Sequence, residues 1–176
     1  MRWFRSKTRK VIHWLFYNKS VVFQFDPDIP PPRVVPGLEL TQVSDVSELT
    51  KSQRGDLERR FGVSAIEGDI RELSGQSQYW IASIEGTIVA TAFSRRGASL
   101  DRWFVALQPR DLVIFRVRTH LSHRGMGIAP AMYRKVLQES LRNGQKAYVD
   151  CRIYNRPSIR SIEKAGFVQI ATMKPI

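Results

Sequence analysis

Apolar and polar residues alternate along this chain in a pattern that predicts short strands interspersed with helices. Strands are predicted at residues 20–25, 38–43, 79–84, 87–93, 112–119, 147–153 and 167–171. Helices are predicted from Ser44 or Asp45 to about Phe61, from Ser64 through Leu73, from residue 128 to a C-cap at Gly144, and from Asn155 onward. The Glu85-Gly86 pair predicts a hairpin turn between two of the strands. This order of elements predicts an α+β fold with a mixed sheet.

A basic amphipathic segment precedes this core. Residues 1–19 contain six Lys or Arg and no acidic residue, and most of their large apolar side chains gather on one side of a helical wheel. Such a helix either rests on an anionic membrane surface or docks on its own domain or a partner subunit. Five prolines between residues 26 and 36 predict an extended linker, because proline lacks a backbone donor and fixes φ. We therefore divide the chain into an arm with its Pro-rich linker, residues 1–36, and a domain, residues 37–176.

The composition adds charge to this picture. The 176 residues carry a formal net charge of +12 at pH 7, which favours an anionic partner such as coenzyme A, a nucleotide-sugar, a lipid head group or nucleic acid. Nucleic acid is disfavoured, because no helix-turn-helix, zinc or RNA-recognition signature accompanies the charge. A single cysteine, Cys151, rules out an internal disulfide and suggests no metal site. Without a signal peptide or an apolar run near the roughly 20 residues of a membrane span, we expect a cytoplasmic protein.

The stretch from Arg124 to Ala129, with glycines at positions 125 and 127, lies where a predicted strand turns into a helix. Such a turn presents free backbone N–H groups at the positive end of the helix dipole, and glycine lets a bulky anion approach them. The stretch is not a P-loop, since the Gly-Lys-Ser/Thr ending is absent, and it lacks the third glycine of a dinucleotide fingerprint. We therefore expect a phosphate or pyrophosphate site here.

Two motifs together resemble the GCN5-related N-acetyltransferase (GNAT) superfamily. Arg124, Gly127 and Ala129 fill the fixed places of its acyl-CoA-binding signature, Gln/Arg-x-x-Gly-x-Gly/Ala. Further along, residues 155–167 are similar to its closing signature, which begins with Asn and ends in Glu-Lys-x-Gly-Phe. The resemblance implies the GNAT-like acyltransferase fold, in which the strand before the glycine turn and the strand at 147–153 splay apart to admit the pantetheine arm of the cofactor.

The resemblance also implies acetyl-CoA as co-substrate. The N–H groups of the glycine turn and the charge of Arg124 would hold its pyrophosphate, and the edge of the preceding strand would pair with its pantetheine amides. The expected contacts are Val117, Thr119, Arg124, Gly125, Met126, Gly127, Ile128, Ala129, Asn155 and Ser158. A small amine would then attack the thioester directly, while a backbone N–H of the strand stabilises charge on the thioester oxygen.

The groups that move protons depart from the family pattern. Relatives often use a glutamate as base, but none lies between residues 86 and 138, so His120 is the base we expect, since imidazole titrates near neutral pH. A loop histidine or a phosphate contact is the alternative role for His120. Ile162 stands where the family usually carries the tyrosine that protonates the leaving thiolate, so Tyr154 or Ser161 would replace it. A tyrosine that ends a strand can also serve packing alone.

Three functions are compatible with these features. The first is an N-acetyltransferase acting on a primary amine, with an amino sugar or another cell-envelope precursor as the acceptor we favour, at the inner face of the membrane. The second is a membrane-tethered protein N-acetyltransferase. The third is a catalytically inactive acyl-CoA-binding regulatory module, which the missing tyrosine and glutamate support. The sequence leaves assembly into a homodimer open.

Overall fold

Seven strands and four α-helices make up the part of the chain that the structure, a computed structural model, describes: residues 19–73 and 76–174. The strands are β1 (Ser20–Phe25), β2 (Leu38–Val43), β3 (Gln78–Ile84), β4 (Thr87–Arg96), β5 (Leu112–Thr119), β6 (Ala147–Arg152) and β7 (Phe167–Met173). The helices are α1 (Lys51–Phe61), α2 (Val63–Leu73), α3 (Ile128–Ser140) and α4 (Arg156–Lys164). Apart from Lys19, the predicted amphipathic arm lies outside the described residues.

The strands form one sheet in the order β2-β3-β4-β5-β6-β1-β7. Every neighbouring pair is antiparallel except β5 and β6, which are parallel and joined through α3. A parallel pair needs such a crossover, because the chain must return to the same end of the sheet. The predicted α+β class, with a mixed and mostly antiparallel sheet flanked by helices, is confirmed.

Apolar side chains fill the space on both faces of the sheet. On one face, Ile114 of β5 packs in a cluster with Met132 of α3 and Ile162 of α4. On the other face, Leu57 of α1 packs in a cluster with Phe93 of β4. All five side chains are 0% exposed, so each contributes the full hydrophobic free energy of its burial. The two layers hold the central strands rigidly between them.

Strand β1 confirms the predicted strand at 20–25, but it belongs to the sheet of the domain and not to the arm. We grouped these residues with the arm, whereas β1 is inserted between β6 and β7 and pairs antiparallel with both. Three consecutive residues, Val21, Val22 and Phe23, are at most 3% exposed. A strand buried on both faces reads as a continuous apolar run, which is why its position inside the sheet, between β6 and β7, was not evident from alternation. The domain's sheet therefore begins before residue 37.

The Pro-rich segment, residues 26–36, contains no helix or strand, as its prolines predict. It lies against α3. The guanidinium of Arg134 donates a hydrogen bond to the carbonyl of Ile29 and stacks over the ring of Phe25, with 4.7 Å between the guanidinium carbon and the ring centroid. The side chain of Val35 packs against the core cluster that contains Met132. The segment is therefore held on the domain.

Two helices differ from the predicted bounds at their beginnings. The single helix expected from residue 45 is divided: Asp45 caps a short 3-10 turn at Val46–Glu48, and Thr50 then caps α1 in a capping box with Gln53. Two successive caps start two elements, because each side chain accepts a bond from a free N–H of the next turn. Helix α2 begins before the predicted cap Ser64.

The predicted C-terminal end of α3 is also wrong. The helix ends at Ser140 with Leu141 as its C-cap, rather than at Gly144. Gly144 has a φ of 80°, so its glycine signal belongs to the turn before β6 and not to a helix end. Within residues 19–73 and 76–174, no helix has the length and apolar character that a membrane crossing requires.

Candidate functional site

The parallel strands β5 and β6 stay together for only two residue pairs. Leu112 pairs with Ala147 and Val113 with Tyr148; beyond these positions β5 pairs with β4 and β6 pairs with β1. The strands therefore part toward their C-terminal ends, between residues 114–119 and 149–152. This is the wedge that the resemblance implied, and it opens directly before the glycine turn.

The glycine turn at the mouth of this wedge has the backbone of an anion site. Gly125 has a φ of 81° and Gly127, the N-cap of α3, a φ of 79°. Both values lie in the left-handed region that only glycine adopts without strain. A Cβ added at Gly125 would meet nothing within 4 Å, so its surroundings are open. The N–H groups of the first turn of α3 have no carbonyl one turn earlier to bond, which leaves them for a ligand.

The side chains around the glycine turn differ in exposure, and therefore in what they can offer a ligand. Arg124 is exposed, and its Nε donates to the carbonyl of Thr119 at 3.4 Å, which brings the guanidinium back over the end of β5. Ile128 is 1% exposed, so its side chain anchors α3 and only its backbone N–H can serve a ligand. Met126 is 56% exposed. Ala129 is half-buried.

The far side of the wedge carries the other predicted contacts. Asn155 is the N-cap of α4, and its Oδ1 accepts the backbone N–H of Ser158 at 3.3 Å. This confirms Asn155 as a cap, which also fixes the start of α4 beside the C-terminal end of β6. Tyr154 precedes the cap and is 57% exposed.

A bulge interrupts β5 in the middle of the wedge. Phe93 of β4 pairs with Phe115, but Thr91 pairs with Arg118, so β5 has one more residue than β4 over this interval. Arg116 has a φ of 51° there, an uncommon value for a residue with a side chain. Phe115 and Arg116 consequently both face α2, and the extra residue is left out of the ladder with β4.

Asp69 of α2 is a buried carboxylate on this face, 4% exposed. It pairs with the guanidinium of Arg118 and accepts a hydrogen bond from the hydroxyl of Tyr79 at 3.2 Å. Burial raises the pKa of Asp69, and this effect outweighs the opposing charge of Arg118. Arg118 also donates to Oγ1 of Thr91 at 3.4 Å and lies over the ring of Phe61.

Glu72, one turn further along α2, pairs with two more arginines. Its carboxylate lies 2.5 Å from the guanidinium of Arg95 and 3.3 Å from that of Arg116. Ser77 donates to Glu72 at 2.9 Å and accepts from Nε of Arg95 at 2.6 Å. Arg116 also donates to the carbonyl of Gly68 at 3.4 Å. Three guanidinium groups thus face two carboxylates between α2 and the sheet.

The predicted base lies at the end of β5, beside this cluster. Nδ1 of His120 is 2.8 Å from Oγ of Ser122, which is in turn 2.8 Å from Nδ1 of His123. The ring of Phe61, the last residue of α1, meets the His120 ring edge-on with 6.1 Å between centroids. His120 is half-buried, so its ring is held in place yet reachable from solvent.

Two side chains are removed from the chemistry by burial. Ile162 is 0% exposed and packs in the core cluster with Met132, and its aliphatic side chain has no proton to donate. Burial raises the pKa of Cys151 to about 11, so its thiol stays protonated and inert near neutral pH. In the described part of the chain, no three His, Cys, Asp or Glu side chains come together as a metal site would require.

Sequence reasoning missed Asp69, Arg116 and Arg118. A signal was present for Asp69, which lies on the same helical stripe as the inward-facing Ile66 and Leu73. The arginines interrupt an apolar strand at alternate positions, which was also visible. Their meeting was not predictable, because the bulge that turns both toward α2 depends on the register with β4.

Comparison with known proteins agrees with this geometry. The profile of the Acetyltransferase (GNAT) family matches residues 45–167. A GNAT-family acetyltransferase from Colwellia psychrerythraea has a similar structure, with a TM-score of 0.61 and 15% identity over 94% of this chain and 59% of the other. No curated protein sequence matches the chain significantly.

Two further structures share the fold. The fungal multi-domain GH3 β-N-acetylglucosaminidase contains a GCN5-related glucosamine N-acetyltransferase region that matches with a TM-score of 0.57 and 12% identity, over 96% of this chain and 22% of the other. AAC(6')-Ib, in complex with paromomycin and acetyl-CoA, matches with a TM-score of 0.58 and 19% identity, over 75% of this chain and 84% of the other. The chain spans 59% of the length of the Colwellia protein and 54% to 65% of the length of three other structures of this kind that it matches.

Proposed function

The chain belongs to the acetyltransferase (GNAT) family, and we propose that it transfers an acetyl group from acetyl-CoA to a primary amine. The observation that carries the proposal is the parting of β5 and β6 directly before the glycine turn. One opening then offers anion-binding N–H groups at its mouth and strand edges inside it. A pyrophosphate joined to a long amide chain fits this combination.

The proposed cofactor site uses both sides of the wedge. The pyrophosphate would lie on the N–H groups of residues 125–129, with Arg124 adding positive charge. Val117 and Thr119 of β5 would pair with the pantetheine amides as an added strand does. Asn155 and Ser158 would border the cofactor from the start of α4. The pairing of β5 with β6 at only two positions supports this, since it leaves strand edges to be occupied.

Acetyl transfer by direct attack suits the groups present. The bulge at Arg116 leaves a residue of β5 outside the ladder, so a backbone N–H near Val117 can stabilise negative charge on the thioester oxygen. Cys151 is too weakly acidic to act as a covalent nucleophile at neutral pH. The protein's part is therefore to hold amine and thioester together and to manage protons.

We propose His120 as the base that accepts the amine proton and Tyr154 as the acid that protonates the leaving thiolate. The hydrogen-bonding distance between Nδ1 of His120 and Ser122 supports the first role, because it fixes the ring at the end of β5. The exposure of Tyr154 beside the wedge supports the second. Ser161 is less suited, since its hydroxyl donates to the carbonyl of Pro157 within α4.

The acceptor we propose is an amino sugar or another amine-bearing precursor of the cell envelope. Its support is the match to a glucosamine N-acetyltransferase region. A membrane-tethered protein N-acetyltransferase remains the alternative enzyme. The buried Ile162 at the usual tyrosine position favours a second candidate function, a non-catalytic acyl-CoA-binding module.

We also propose that the arm, residues 1–19, binds an anionic membrane surface on the cytoplasmic side. Its support is the six basic residues and the apolar stripe in the sequence. Pelleting with vesicles of phosphatidylcholine, with and without phosphatidylglycerol, tests this; equal supernatant fractions in both would contradict it.

We further propose that the chain assembles as a homodimer. The support is the exposure of two apolar side chains of β7, Val168 and Ile170, and light scattering of the purified chain tests the assembly.

The transfer itself is tested by incubating the protein with acetyl-CoA and a panel of primary amines while free thiol is followed. Calorimetry with coenzyme A measures binding independently. Turnover on at least one amine is the expected result. Tight coenzyme A binding without turnover on any amine would favour the regulatory module, and the absence of coenzyme A binding would contradict both functions.

A further inference from the structure

We propose that the acceptor amine carries a carboxylate or phosphate group, which Arg116 binds on the α2 side of the bulge in β5. The inference rests on the proposed acetyl transfer and specifies the class of acceptor. It follows from the position of the Arg116 side chain, from the charges around it and from the hydrogen-bonding capacity that its present contacts leave.

The bulge places Arg116 next to the reaction centre. Arg116 immediately precedes Val117, whose strand edge borders the wedge, and its φ of 51° turns the side chain to the face covered by α2. A regular strand would send this side chain to the opposite face, because successive residues alternate. Left-handed backbone at a residue with a side chain costs free energy and persists where the surrounding structure imposes it, commonly at functional sites.

The charges on this face do not balance. Arg95, Arg116 and Arg118 face Asp69 and Glu72, which leaves one positive charge in excess. Arg118 forms its ion pair with a carboxylate that is 4% exposed, and Arg95 lies 2.5 Å from Glu72. Arg95 and Arg118 are therefore neutralised by carboxylates of the protein itself. The excess charge resides on Arg116.

The polar contacts of Arg116 are long and use only part of its hydrogen-bonding capacity. Its guanidinium lies 3.3 Å from Glu72 and 3.4 Å from the carbonyl of Gly68. It also lies over the ring of Phe93, with 6.0 Å between the guanidinium carbon and the ring centroid, and 47% of the side chain is exposed. A guanidinium offers five N–H donors in a planar fork that matches a carboxylate or phosphate in two parallel bonds. Arg116 therefore has donors directed toward solvent beside the bulge.

A polycationic acceptor fits this face poorly. The carboxylates of Asp69 and Glu72 are 4% and 15% exposed and are already paired with arginine. A second ammonium group would meet the excess positive charge of Arg116, because both carboxylates are already occupied by arginines. An anionic group on the acceptor would instead neutralise Arg116 while the amine faces the thioester.

Matched pairs of amines test the inference. Glucosamine 6-phosphate is compared with glucosamine, and β-alanine with propylamine, at constant ionic strength, by the kcat/KM for release of free thiol. We expect the anionic member of at least one pair to be preferred by about 10- to 100-fold, as one charge-assisted pair of hydrogen bonds would give. Equal or greater kcat/KM for the neutral member in both pairs overturns the inference while acetyl transfer stands.

Variants assign the preference to Arg116. Arg116→Asn removes the charge but tolerates a left-handed φ, and it should reduce the preference to about 3-fold or less. Arg116→Lys keeps the charge without the fork and should give an intermediate preference. Arg110→Asn removes an exposed arginine from the loop before β5 and should leave the preference unchanged. An unchanged preference in Arg116→Asn contradicts the assignment.

A binding measurement separates this inference from the proposed catalysis. Calorimetry of N-acetylglucosamine 6-phosphate and N-acetylglucosamine, in the presence of coenzyme A, reports the anion site without turnover. If no amine is acetylated but the phosphate still raises affinity through Arg116, the site exists and the transfer proposal fails. If coenzyme A binds and amines are acetylated, but the phosphate adds no affinity and β-alanine is not preferred over propylamine, the anion site fails alone.

Discussion

The carboxylate of Asp69 on α2 and the guanidinium of Arg118 on β5 form an ion pair that joins the helical layer to the strand bordering the cofactor wedge. The carboxylate is 4% exposed and also accepts from the Tyr79 hydroxyl. Such a pair contributes little when it is complete but leaves an uncompensated charge when one partner is removed. The pair therefore ties the stability of the fold to the geometry of β5.

Asp69→Ala should lower the free energy of unfolding by about 3 kcal/mol, because the Tyr79 hydroxyl and the Arg118 guanidinium both lose the acceptor that they bond. Urea denaturation followed by tryptophan fluorescence measures the change. Glu67→Ala, an exposed acid on the same helix, is the matched control and should stay within about 0.5 kcal/mol of the parent. Similar midpoints for the two variants would show that the ion pair does not connect the layers.

The raised pKa of Asp69 makes stability depend on pH with a definite sign. Its ordinary pKa is 3.8 and burial raises it in the folded protein, so the folded state binds the proton more tightly than the unfolded state. The ionised carboxylate therefore costs stability at neutral pH. This cost disappears as the pH falls through the raised pKa toward 3.8. The free energy of unfolding of the parent, relative to Asp69→Asn, should rise over that range, and a fall would contradict the assignment.

Gly125→Ala should weaken coenzyme A binding by at least about 10-fold, because a Cβ strains the left-handed backbone that aims the N–H groups. Isothermal calorimetry measures the affinity. Gly144→Ala is a matched control, since Gly144 has a φ of 80° and equally open surroundings but lies in the turn before β6. Both variants should lose about 1–2 kcal/mol of stability. Equal coenzyme A affinities in the two would remove the glycine turn from the site.

His120→Gln should lower kcat by about 100-fold or more, the usual contribution of a general base, while coenzyme A affinity is retained. Steady-state release of free thiol measures kcat. His123→Gln is the control, since His123 shares the contact with Ser122 but lies further from the strand end. A loss of coenzyme A affinity in place of kcat would assign His120 to phosphate contact.

Tyr154→Phe should lower kcat by about 10-fold if its hydroxyl protonates the leaving thiolate. Ser161→Ala serves as the comparison, because the Ser161 hydroxyl donates within α4 at 3.0 Å. Single-turnover thiol release separates this step from product release. Identical rates for Tyr154→Phe and the parent would indicate that the thiolate leaves without an acid.

The cofactor side of the site was predictable from local sequence. The two glycines and the following apolar spacing specify a strand-to-helix turn within a few residues, and both glycines adopt the left-handed backbone they permit. The hairpin at Glu85-Gly86 is confirmed for the same reason, with φ values of 49° and 73° at the two residues. Turns are decided by the conformational range of the residues in them.

The acceptor side was not predictable, because it depends on pairing between distant strands. Whether Arg116 faces α2 or α3 is settled by one extra residue in the register of β5 against β4. The insertion of β1 into the sheet depends likewise on its long-range pairing with β6 and β7. Period-two patterns fix which residues share a face but not which strands become neighbours.

By itself, the sequence determined the class of fold, the glycine turn and the family, since each arises from residues close together along the chain. Tertiary structure decided the insertion of β1 between β6 and β7, the course of the Pro-rich segment and the meeting of three arginines with two buried carboxylates. Those features join residues far apart in sequence, and their relative positions are set by register and burial, which no short stretch of residues encodes.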